Sequence, residues 1–382
     1  MIKIFKMSLA GLLFSVATIS SAGMITPNPT APSIAGTAHI LQDYDSGHIL
    51  MSENADERLP PASITKLMTS YVVSQEIHDG NIKLDDEVLI SEKAWRMIGS
   101  RSFIEVNTKV TVEALLRGMI VQSGNDAAVA LAEHVAGSEE VFAQMMNQYA
   151  QKLGMVNTNY QNATGLPGPE HYTTAHDIAI LSAALIRDFP EHYQWYAEKE
   201  YTYNGITQHN RNKLLWRDNT VDGLKTGHTE EAGYCLSASA KRDGMRLIAV
   251  VLGTASENAR AQEIQKMFNF GFRFFETHQL YAADEAITQT KVWKGQTDQL
   301  NLGLGQPLSI TVPRGRYKDL QASTNIQQPV VAPVAKGTEL GEVEIRLGDE
   351  VVATRKLVAV EEVEKGSWWR RILDSLLMLI WG

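Results

Sequence analysis

The alternation of apolar and polar positions divides the chain into predicted strands and helices. Two apolar stretches within 36–58 flank a turn triplet at 45–47, which predicts a β-hairpin. After Pro60 and Pro61 the apolar spacing becomes helical, and proline is well tolerated where a helix begins. Apolar positions at helical spacing over 112–120 and 127–132 predict two further helices, separated by a polar Ser-Gly-Asn break.

The same reading extends to the rest of the first 278 residues. Helices are predicted at 141–153, 175–189 and 259–275. Strands are predicted at 83–90, 102–106, 195–203, 234–240 and 246–252. Strands near both ends with helices between them predict an α/β (α+β) domain over 34–278. In it, a sheet made from both ends of the domain carries an inserted helical cluster.

The chain beyond residue 278 has a different pattern. Short alternating segments separated by Gly, Pro and Asp predict a small all-β domain, a sandwich, over 282–362. Residues 365–382 form an amphipathic segment, with Arg370, Arg371 and Asp374 off its apolar face. That face comprises Trp369, Ile372, Leu373, Leu376, Leu377 and Ile380. The segment is too short to span a bilayer, so we expect an in-plane membrane anchor; docking on the β-domain or on a second subunit is the alternative.

Residues 1–22 have the layout of a signal peptide. Two lysines precede an apolar run from Met7 to Ile19, and small residues lead to a predicted cleavage site after Ala22. An uncleaved membrane anchor is the alternative. Either way the rest of the chain is exported, and a lone cysteine, Cys235, is tolerable in an oxidising compartment if it is buried.

Composition narrows the class of protein. The 382 residues are 44% hydrophobic and 21% charged, which is typical of a folded chain long enough for two domains. The net charge of −9 provides no basic field for nucleic acid. No Cys/His cluster has metal-ligand spacing, so neither a metal nor another cofactor is expected.

Three short motifs carry the candidate chemistry. Ser63 lies where a helix is predicted to begin, and Lys66 follows one turn later, so their Cβ atoms should be roughly 5–6 Å apart. A neutral amine there can remove the hydroxyl proton, and N–H groups at a helix start suit an oxyanion. An SGN motif follows at Ser123 and a KTG motif at Lys225. Each motif alone is weak, because a capping serine and a solvated lysine explain the first as well.

In this order, and in an exported protein, the motifs resemble those of β-lactamases and penicillin-binding proteins, where SDN takes the middle place. Nearly all of the mature chain resembles low-molecular-mass penicillin-binding proteins, the serine D-Ala-D-Ala carboxypeptidase family (peptidase S11-like). DYDSGHIL, DGLKTGHTEEAGY, NFGFRFFET and VPRGR carry the likeness. The resemblance implies a penicillin-binding/β-lactamase-like transpeptidase domain that removes the terminal D-alanine of peptidoglycan stem pentapeptide and binds β-lactams covalently. It also implies export to the periplasm and peripheral attachment to the inner membrane.

The resemblance also assigns the catalytic residues. Ser63 is the nucleophile and Lys66 the base that activates it, while Ser123 relays a proton towards the leaving amine. Asn125 binds Lys66 and the substrate amide. Burial and a second cation, Lys225, are expected to lower the pKa of Lys66.

Substrate-binding residues follow from the same likeness. They are Asn125, Lys225, Thr226, Gly227, His228 and Arg260. The N–H groups of Ser63 and His228 are expected to receive the oxyanion, Gly227 to let the substrate approach, and Arg260 to pair with its carboxylate. Supporting positions are Gly124, Thr229, Arg211 and Asp188. Arg211 and Asp188 are expected to pair, and a purely structural salt bridge is the alternative for them.

Departures from the family pattern leave other activities open. The loop 99–110 has no LKPG turn, and NATGL stands where relatives often carry a histidine before Gly-Leu. A β-lactamase would need a carboxylate for its deacylating water, and only Glu170 lies near the right place in sequence. A D,D-endopeptidase and a non-catalytic wall-binding scaffold are the remaining alternatives.

Overall fold

The N-terminal part of the protein alternates strands and helices. The structure is a computed structural model that describes residues 30–381, so the predicted signal peptide and its cleavage site lie outside it. The strands are β1 (Ala38–Asp43), β2 (Ile49–Glu53), β3 (Glu87–Leu89), β4 (Lys109–Thr111), β5 (Glu200–Tyr203), β6 (Ile206–His209), β7 (Val221–Thr229), β8 (Gly233–Arg242) and β9 (Met245–Thr254). The helices are α1 (Lys66–His78), α2 (Glu92–Trp95), α3 (Val112–Val121), α4 (Asn125–Ala136), α5 (Glu139–Leu153), α6 (Ala175–Asp188), α7 (Pro190–Tyr193), α8 (Leu214–Arg217) and α9 (Glu257–Phe274).

A five-stranded antiparallel sheet organises this part, in the order β2-β1-β9-β8-β7. Strand β1 pairs with β9 from the other end of the domain, which confirms the predicted sheet. Alternate residues of β8 and β9 belong to two apolar cores, one shared with α9 and one with α6 and the helical cluster. Cys235 on β8 is buried as expected, and burial raises the pKa of its thiol to about 11.

Three predicted strands differ from the structure. The strand predicted at 83–90 is limited to β3, because Lys83 and Asp86 close a turn before it. Residues 102–106 form no strand, because the backbone N–H groups of Ser102 and Ile104 donate to the buried carboxylate of Asp126, at 2.7 and 3.4 Å. The strand partner of β3 is β4 instead. Of the predicted strand 195–203, only its end is extended, as β5, since Gln194–Ala197 forms a 3₁₀ turn.

The C-terminal part is all β up to its last helix, as predicted. Its strands are β10 (Phe275–Tyr281), β11 (Thr288–Trp293), β12 (Gln299–Gly303), β13 (Leu308–Pro313), β14 (Leu320–Ile326), β15 (Val330–Val331), β16 (Glu339–Leu347) and β17 (Glu350–Ala359). Six of them form one sheet, in the order β14-β16-β17-β12-β11-β15, and β10 pairs with β13. Strand β10, which the sequence did not predict, follows α9 directly. The Thr277 hydroxyl on β10 donates to Asp43 of the N-terminal sheet at 2.7 Å.

The last helix, α10 (Trp368–Trp381), contacts this β-domain through its polar edge. Arg370 pairs with Asp298, and the carboxylate of Asp374 accepts from the backbone N–H of Lys294 at 2.5 Å. The large apolar side chains of its other face are solvent-exposed: Trp368, Trp369, Ile372, Leu373, Leu376 and Leu379. Among the residues from 30 to 381, no helix has both the length and the apolar content needed to cross a bilayer.

Candidate active site

One cavity of about 370 Å³ lies between the outer edge of β7 and the helical cluster. The 3₁₀ turn before α1, the α3–α4 connection, the loop after α5 and the start of α9 each contribute to its wall. The lining residues are Ser63, Gly99, Ser100, Ser123, Asn125, Thr164, Gly165, Leu166, Arg211, Thr226, Gly227, His228, Thr229, Tyr234, Glu257 and Arg260. Most residues predicted for the site thus meet here, although they are distant in sequence.

Ser63 and Lys66 adjoin across the junction between a 3₁₀ turn and α1. The turn spans Ala62–Thr65, and Lys66 is the first residue of the α-helix. The side-chain nitrogen, Lys66 Nζ, lies 3.0 Å from Ser63 Oγ. Ser63 faces the cavity, whereas Lys66 is 1% exposed and therefore meets the hydroxyl from the protein side.

Two further groups contact the lysine nitrogen, and both can only accept. Asn125 Oδ1 lies 2.7 Å from Lys66 Nζ, and the backbone carbonyl of Thr164 lies 2.5 Å from it. The orientation of the Asn125 amide is fixed, because its nitrogen donates to the carbonyl of Ile98 at 2.6 Å. A neutral lysine has two N–H groups and one lone pair. With both N–H groups directed to these acceptors, the lone pair is left for the Ser63 hydroxyl.

The surroundings favour that neutral form. Burial, followed by the positive charge of Arg211, lowers the pKa of Lys66 to about 7, while Asp126 and Glu139 act in the opposite direction. Arg211 acts here in addition to the expected cation, Lys225, whose charge and that of Lys66 repel each other. Burial and three neighbouring cations lower the pKa of Lys225 itself well below its usual range. A lysine with a pKa near neutrality can serve as a base at physiological pH.

Ser123 reaches the cavity through an unusual backbone conformation. It is 3% exposed and has φ of 69°, in the left-handed region that costs a non-glycine residue on the order of 1–3 kcal/mol. The following residue, Gly124, packs so closely on Ser102 that a Cβ atom would collide with the serine hydroxyl. The backbone N–H of Asn125 then donates to the Ser100 carbonyl at 2.7 Å. The α3–α4 connection is therefore held against the loop after α2.

Strand β7 forms the opposite wall. Lys225 is buried, and its Nζ donates to the Thr226 carbonyl at 3.2 Å. Gly227 was expected to be required by the substrate. In the structure, a Cβ atom there would lie 3.1 Å from the Pro61 carbonyl oxygen and 3.2 Å from Ala62 Cβ. Close packing on the turn that carries Ser63 is therefore one reason for glycine at this position.

A buried arginine stands at the end of this wall. Arg260, on the first turn of α9, donates from Nη1 to the Gly227 carbonyl at 3.0 Å and lies over the Tyr234 ring. The Tyr234 ring also stacks on His228, with 4.0 Å between ring centroids. A guanidinium has five N–H donors, so Arg260 keeps donors available for a carboxylate in the cavity.

The predicted pair of Arg211 and Asp188 does not form. Arg211 lines the cavity, but Asp188 ends α6 and is absent from the lining residues. The Asp188 carboxylate instead pairs with its neighbour Arg187 at 2.7 Å and accepts from the Tyr71 hydroxyl at 2.9 Å. The helix end that carries Asp188 directs it to these local partners, and only Arg211 retains a place in the site.

Two groups at the cavity were not predicted from the sequence. The Thr164 carbonyl is a backbone atom, so no side-chain motif marks it; the unusual NATGL stretch was the available signal. Glu257, three residues before Arg260 on α9, lines the cavity and pairs with Lys213 at 3.0 Å. Its helical spacing from Arg260 could have suggested it.

The cavity gives less support to metal-dependent hydrolysis or to a carboxylate-activated water. Across the described part of the chain, no cluster of three His, Cys, Asp or Glu side chains is arranged to hold a metal ion. Glu257 is the single carboxylate among the described lining residues, and it is on the Arg260 side of the cavity. Glu170 is exposed and does not line the cavity.

Comparison with known proteins gives concordant matches. Residues 25–256 match the family model described as D-alanyl-D-alanine carboxypeptidase, and residues 275–365 match the C-terminal domain of penicillin-binding protein 5. The chain is 46% identical to the Escherichia coli D-alanyl-D-alanine carboxypeptidase DacC, over 91% of this chain and 89% of that protein. The structure is similar to penicillin-binding protein 5 of Haemophilus influenzae, with a TM-score of 0.85 and 42% identity over 88% of this chain and 100% of the other. It is also similar to Escherichia coli penicillin-binding protein 6B, with a TM-score of 0.74 and 38% identity over 88% and 98% of the two chains.

Proposed function

Because the chain belongs to the D-alanyl-D-alanine carboxypeptidase family, and is thus a penicillin-binding serine carboxypeptidase, we propose that Ser63 is its nucleophile and Lys66 its base. The substrate is the stem pentapeptide of peptidoglycan, and the bond cleaved joins its two terminal D-alanines. One observation carries the proposal: a buried lysine, with two obligate acceptors on its N–H groups, lies 3.0 Å from a serine hydroxyl that faces the cavity.

Acylation begins when Ser63 Oγ attacks the carbonyl carbon of the penultimate D-alanine and its proton passes to the lone pair of Lys66 Nζ. The backbone N–H groups of Ser63 and His228 receive the oxyanion. The C–N bond then breaks, and the proton on Lys66 reaches the leaving nitrogen through the Ser123 hydroxyl. D-Alanine leaves and an ester remains on Ser63.

Deacylation uses the same base. A water molecule gives a proton to Lys66 and attacks the ester carbonyl, and Ser63 recovers its hydrogen as the shortened peptide leaves. Lys66 therefore has to be neutral at the start of both half-reactions. The lysine environment supports this role, because burial and Arg211 disfavour its charged form.

The free carboxylate of the substrate binds at the arginine end of the cavity. Arg260 and Arg211 both line that end, and Arg260 is held in place by its bond to the Gly227 carbonyl. The hydroxyls of Thr226 and Thr229 add donors along β7, and Lys225 is buried in the same strand. A cation-rich end favours an exopeptidase, whose substrate must end in a carboxylate.

An intact-mass measurement after incubation with penicillin tests the nucleophile. Wild-type protein should gain the mass of one penicillin, and Ser63→Ala should gain none. Ser138→Ala is the matched control: Ser138 caps α5 by accepting from the Val141 N–H, outside the cavity lining, so acylation should persist. An adduct on Ser63→Ala, or none on wild type, would overturn the assignment.

Product analysis separates this activity from that of a β-lactamase. Wild-type protein should release D-alanine from a pentapeptide ending in D-Ala-D-Ala while the penicilloyl ester persists. Rapid penicillin turnover without D-alanine release would instead identify a lactamase. The cavity supports the first outcome, since its described carboxylate, Glu257, pairs with Lys213 and lies by the arginines.

We also propose that α10 attaches the enzyme to the outer surface of the inner membrane. Its 14 residues extend about 21 Å, short of the roughly 30 Å hydrocarbon core, so an in-plane orientation suits it. Trp369 is 66% exposed and Leu379 is 84% exposed, although they are large apolar groups. The polar edge contacts the β-domain, and most of the apolar face stays exposed, although Leu373 and Leu377 border a groove beside β11 and β12.

Vesicle co-sedimentation tests the attachment. Vesicles of phosphatidylethanolamine and phosphatidylglycerol should retain the mature protein and release a truncation lacking 368–382. A double variant, Ile372→Glu with Leu376→Glu, is a control that keeps the helix length and should also be released. Equal binding of all three proteins would refute an α10 anchor.

A further inference from the structure

The loop after α5 places a backbone carbonyl against the catalytic lysine. Thr164 contributes that carbonyl, 2.5 Å from Lys66 Nζ. Misplacing it by a fraction of an ångström would free one lysine N–H group and let the lone pair turn away from Ser63. What fixes the loop therefore bears on the activity of the base.

Asn162 holds the turn that carries this carbonyl. Its Oδ1 accepts from the backbone N–H groups of Thr164 at 3.1 Å and Gly165 at 2.7 Å. Its amide nitrogen donates to the Leu166 carbonyl at 2.9 Å. One side chain thus bonds to three consecutive residues of the loop, as an Asx-turn does.

The Asn162 amide is in turn oriented by a buried histidine. His171 is 4% exposed, and its Nδ1 lies 3.2 Å from Asn162 Nδ2 and 3.4 Å from the backbone nitrogen of Gln161. Both neighbours carry N–H donors, so Nδ1 must be the unprotonated acceptor. The proton is then on Nε2, which donates to Thr65 Oγ1 at 3.0 Å. Thr65 immediately precedes Lys66 in the chain.

If Nδ1 were protonated, its N–H group would face two other N–H donors, those of Asn162 and Gln161, with no acceptor between them. The surroundings oppose it, because burial and the charge of Lys66 lower the pKa of His171 to about 4. The ring also packs edge-on against Tyr160, which limits its rotation. His171 therefore remains in one tautomer and one orientation around neutral pH.

We propose that His171 is a positioning residue for Lys66: its Nδ1 orients Asn162, and Asn162 aims the Thr164 carbonyl at the lysine nitrogen. This rests on the proposed role of Lys66 as base. The ring makes two hydrogen bonds to side chains, one through Nδ1 to Asn162 and one through Nε2 to Thr65. The bond to Asn162 is the one that positions Lys66.

Two substitutions separate these contacts. In His171→Asn, the amide oxygen can take the place of Nδ1 and accept from Asn162, while the contact to Thr65 is lost. In His171→Gln, the longer side chain can donate to Thr65, but it offers no acceptor at the Nδ1 position. His192→Asn is the matched control, because His192 bonds to the Ser74 hydroxyl at 2.8 Å and is not among the cavity-lining residues.

Stopped-flow acylation by a chromogenic cephalosporin gives both the noncovalent binding constant and the acylation rate constant. His171→Gln should acylate about 10- to 100-fold more slowly with an unchanged binding constant, because only the base is misaligned. His171→Asn should remain within a few-fold of wild type, and His192→Asn should match it. Asn162→Ala should reproduce the loss, and combining it with His171→Gln should add little further loss.

Several outcomes would overturn the inference. One is an equal loss in His171→Asn and His171→Gln, or a weaker binding constant in step with the rate, since both indicate general distortion of the site. Another is a better rate for His171→Gln than for His171→Asn, which would assign the effect to Thr65. Thermal unfolding of each variant identifies a folding defect. Failure of the proposed function is distinct, because wild-type protein itself would then not be acylated.

Discussion

The N-terminal domain and the β-domain bury different kinds of side chain. The first holds charged and amide groups below 5% exposure around its cavity, including Lys66, Asn125 and Arg260. In the β-domain, the buried polar side chains among the described residues are two threonines, Thr290 and Thr311. Each buried charge costs several kcal/mol of desolvation unless it is compensated. The comparison teaches that the first domain accepts the desolvation cost of its chemistry, whereas the second buries an almost wholly apolar core.

Replacing the base should have the largest effect. Lys66→Met keeps the length of the side chain but removes the lone pair, and we expect the acylation rate constant to fall by about 10²–10⁴-fold. Stopped-flow acylation measures it. The fold should persist, because a buried amine gives way to an apolar group of similar length. Lys152→Met, on the exposed side of α5, is the control, and a near-normal rate for Lys66→Met would remove Lys66 from the mechanism.

The pH dependence of acylation should be the next largest effect. Lys66 acts in its unprotonated form and has a pKa of about 7, so the rate should rise with pH up to that value and level off above it. Below it the rate should fall about tenfold per pH unit, or roughly 100-fold at pH 5. Rates at a series of pH values, with circular dichroism to confirm folding, check this. A flat profile from pH 5 to 8 would contradict it.

Removing Arg260, the proposed partner of the substrate carboxylate, should weaken substrate binding. Arg260→Ala deletes a charge-assisted contact of about 1.5–3 kcal/mol, so KM for a peptide ending in free D-alanine should rise by about 10- to 100-fold. The same peptide with a terminal carboxamide should respond little. Arg273→Ala, on the exposed side of the same helix, should leave both values unchanged. An unaltered KM for Arg260→Ala would exclude the carboxylate role.

A core substitution in the β-domain should leave catalysis unchanged. Leu300 is fully buried there, and Leu300→Ala should lower the free energy of unfolding of that domain by about 2–5 kcal/mol. Denaturant titration measures the loss. At temperatures where the protein stays folded, D-alanine release from a soluble peptide should match wild type. A slower rate in the folded variant would show that the two domains share catalytic duties.

The sequence predicted those parts of the site that consist of side chains. Two of the motifs place Ser63 and Ser123 in the cavity, and the third places Thr226 and Gly227 in it while Lys225 is buried in the same strand. Each motif was recognisable because it stands at a helix start, a break or a strand. It could not predict the Thr164 carbonyl, since a backbone atom has no residue type. The expected pairing of Asp188 failed for a related reason: its neighbour Arg187 offered a nearer partner, and long-range pairing depends on the tertiary fold.

Prediction of the fold from the sequence also failed where tertiary contacts decide the structure. The sheet and its long helices were predicted because their apolar periodicities are strong. The strand at 102–106 was wrong, because a buried carboxylate, Asp126, takes the N–H groups that a strand partner would use. Such a tertiary contact leaves no trace in the local pattern.

Helix α9 passes into strand β10 with no residue between them, and Thr277 on that strand is bonded to Asp43. The two domains are therefore joined without a flexible linker at this boundary. An enzyme held at the lipid surface through α10 would keep its cavity at a nearly constant height above that surface. Stem peptides would have to come to that layer to be trimmed, so the length of the β-domain would decide which part of the wall is within reach.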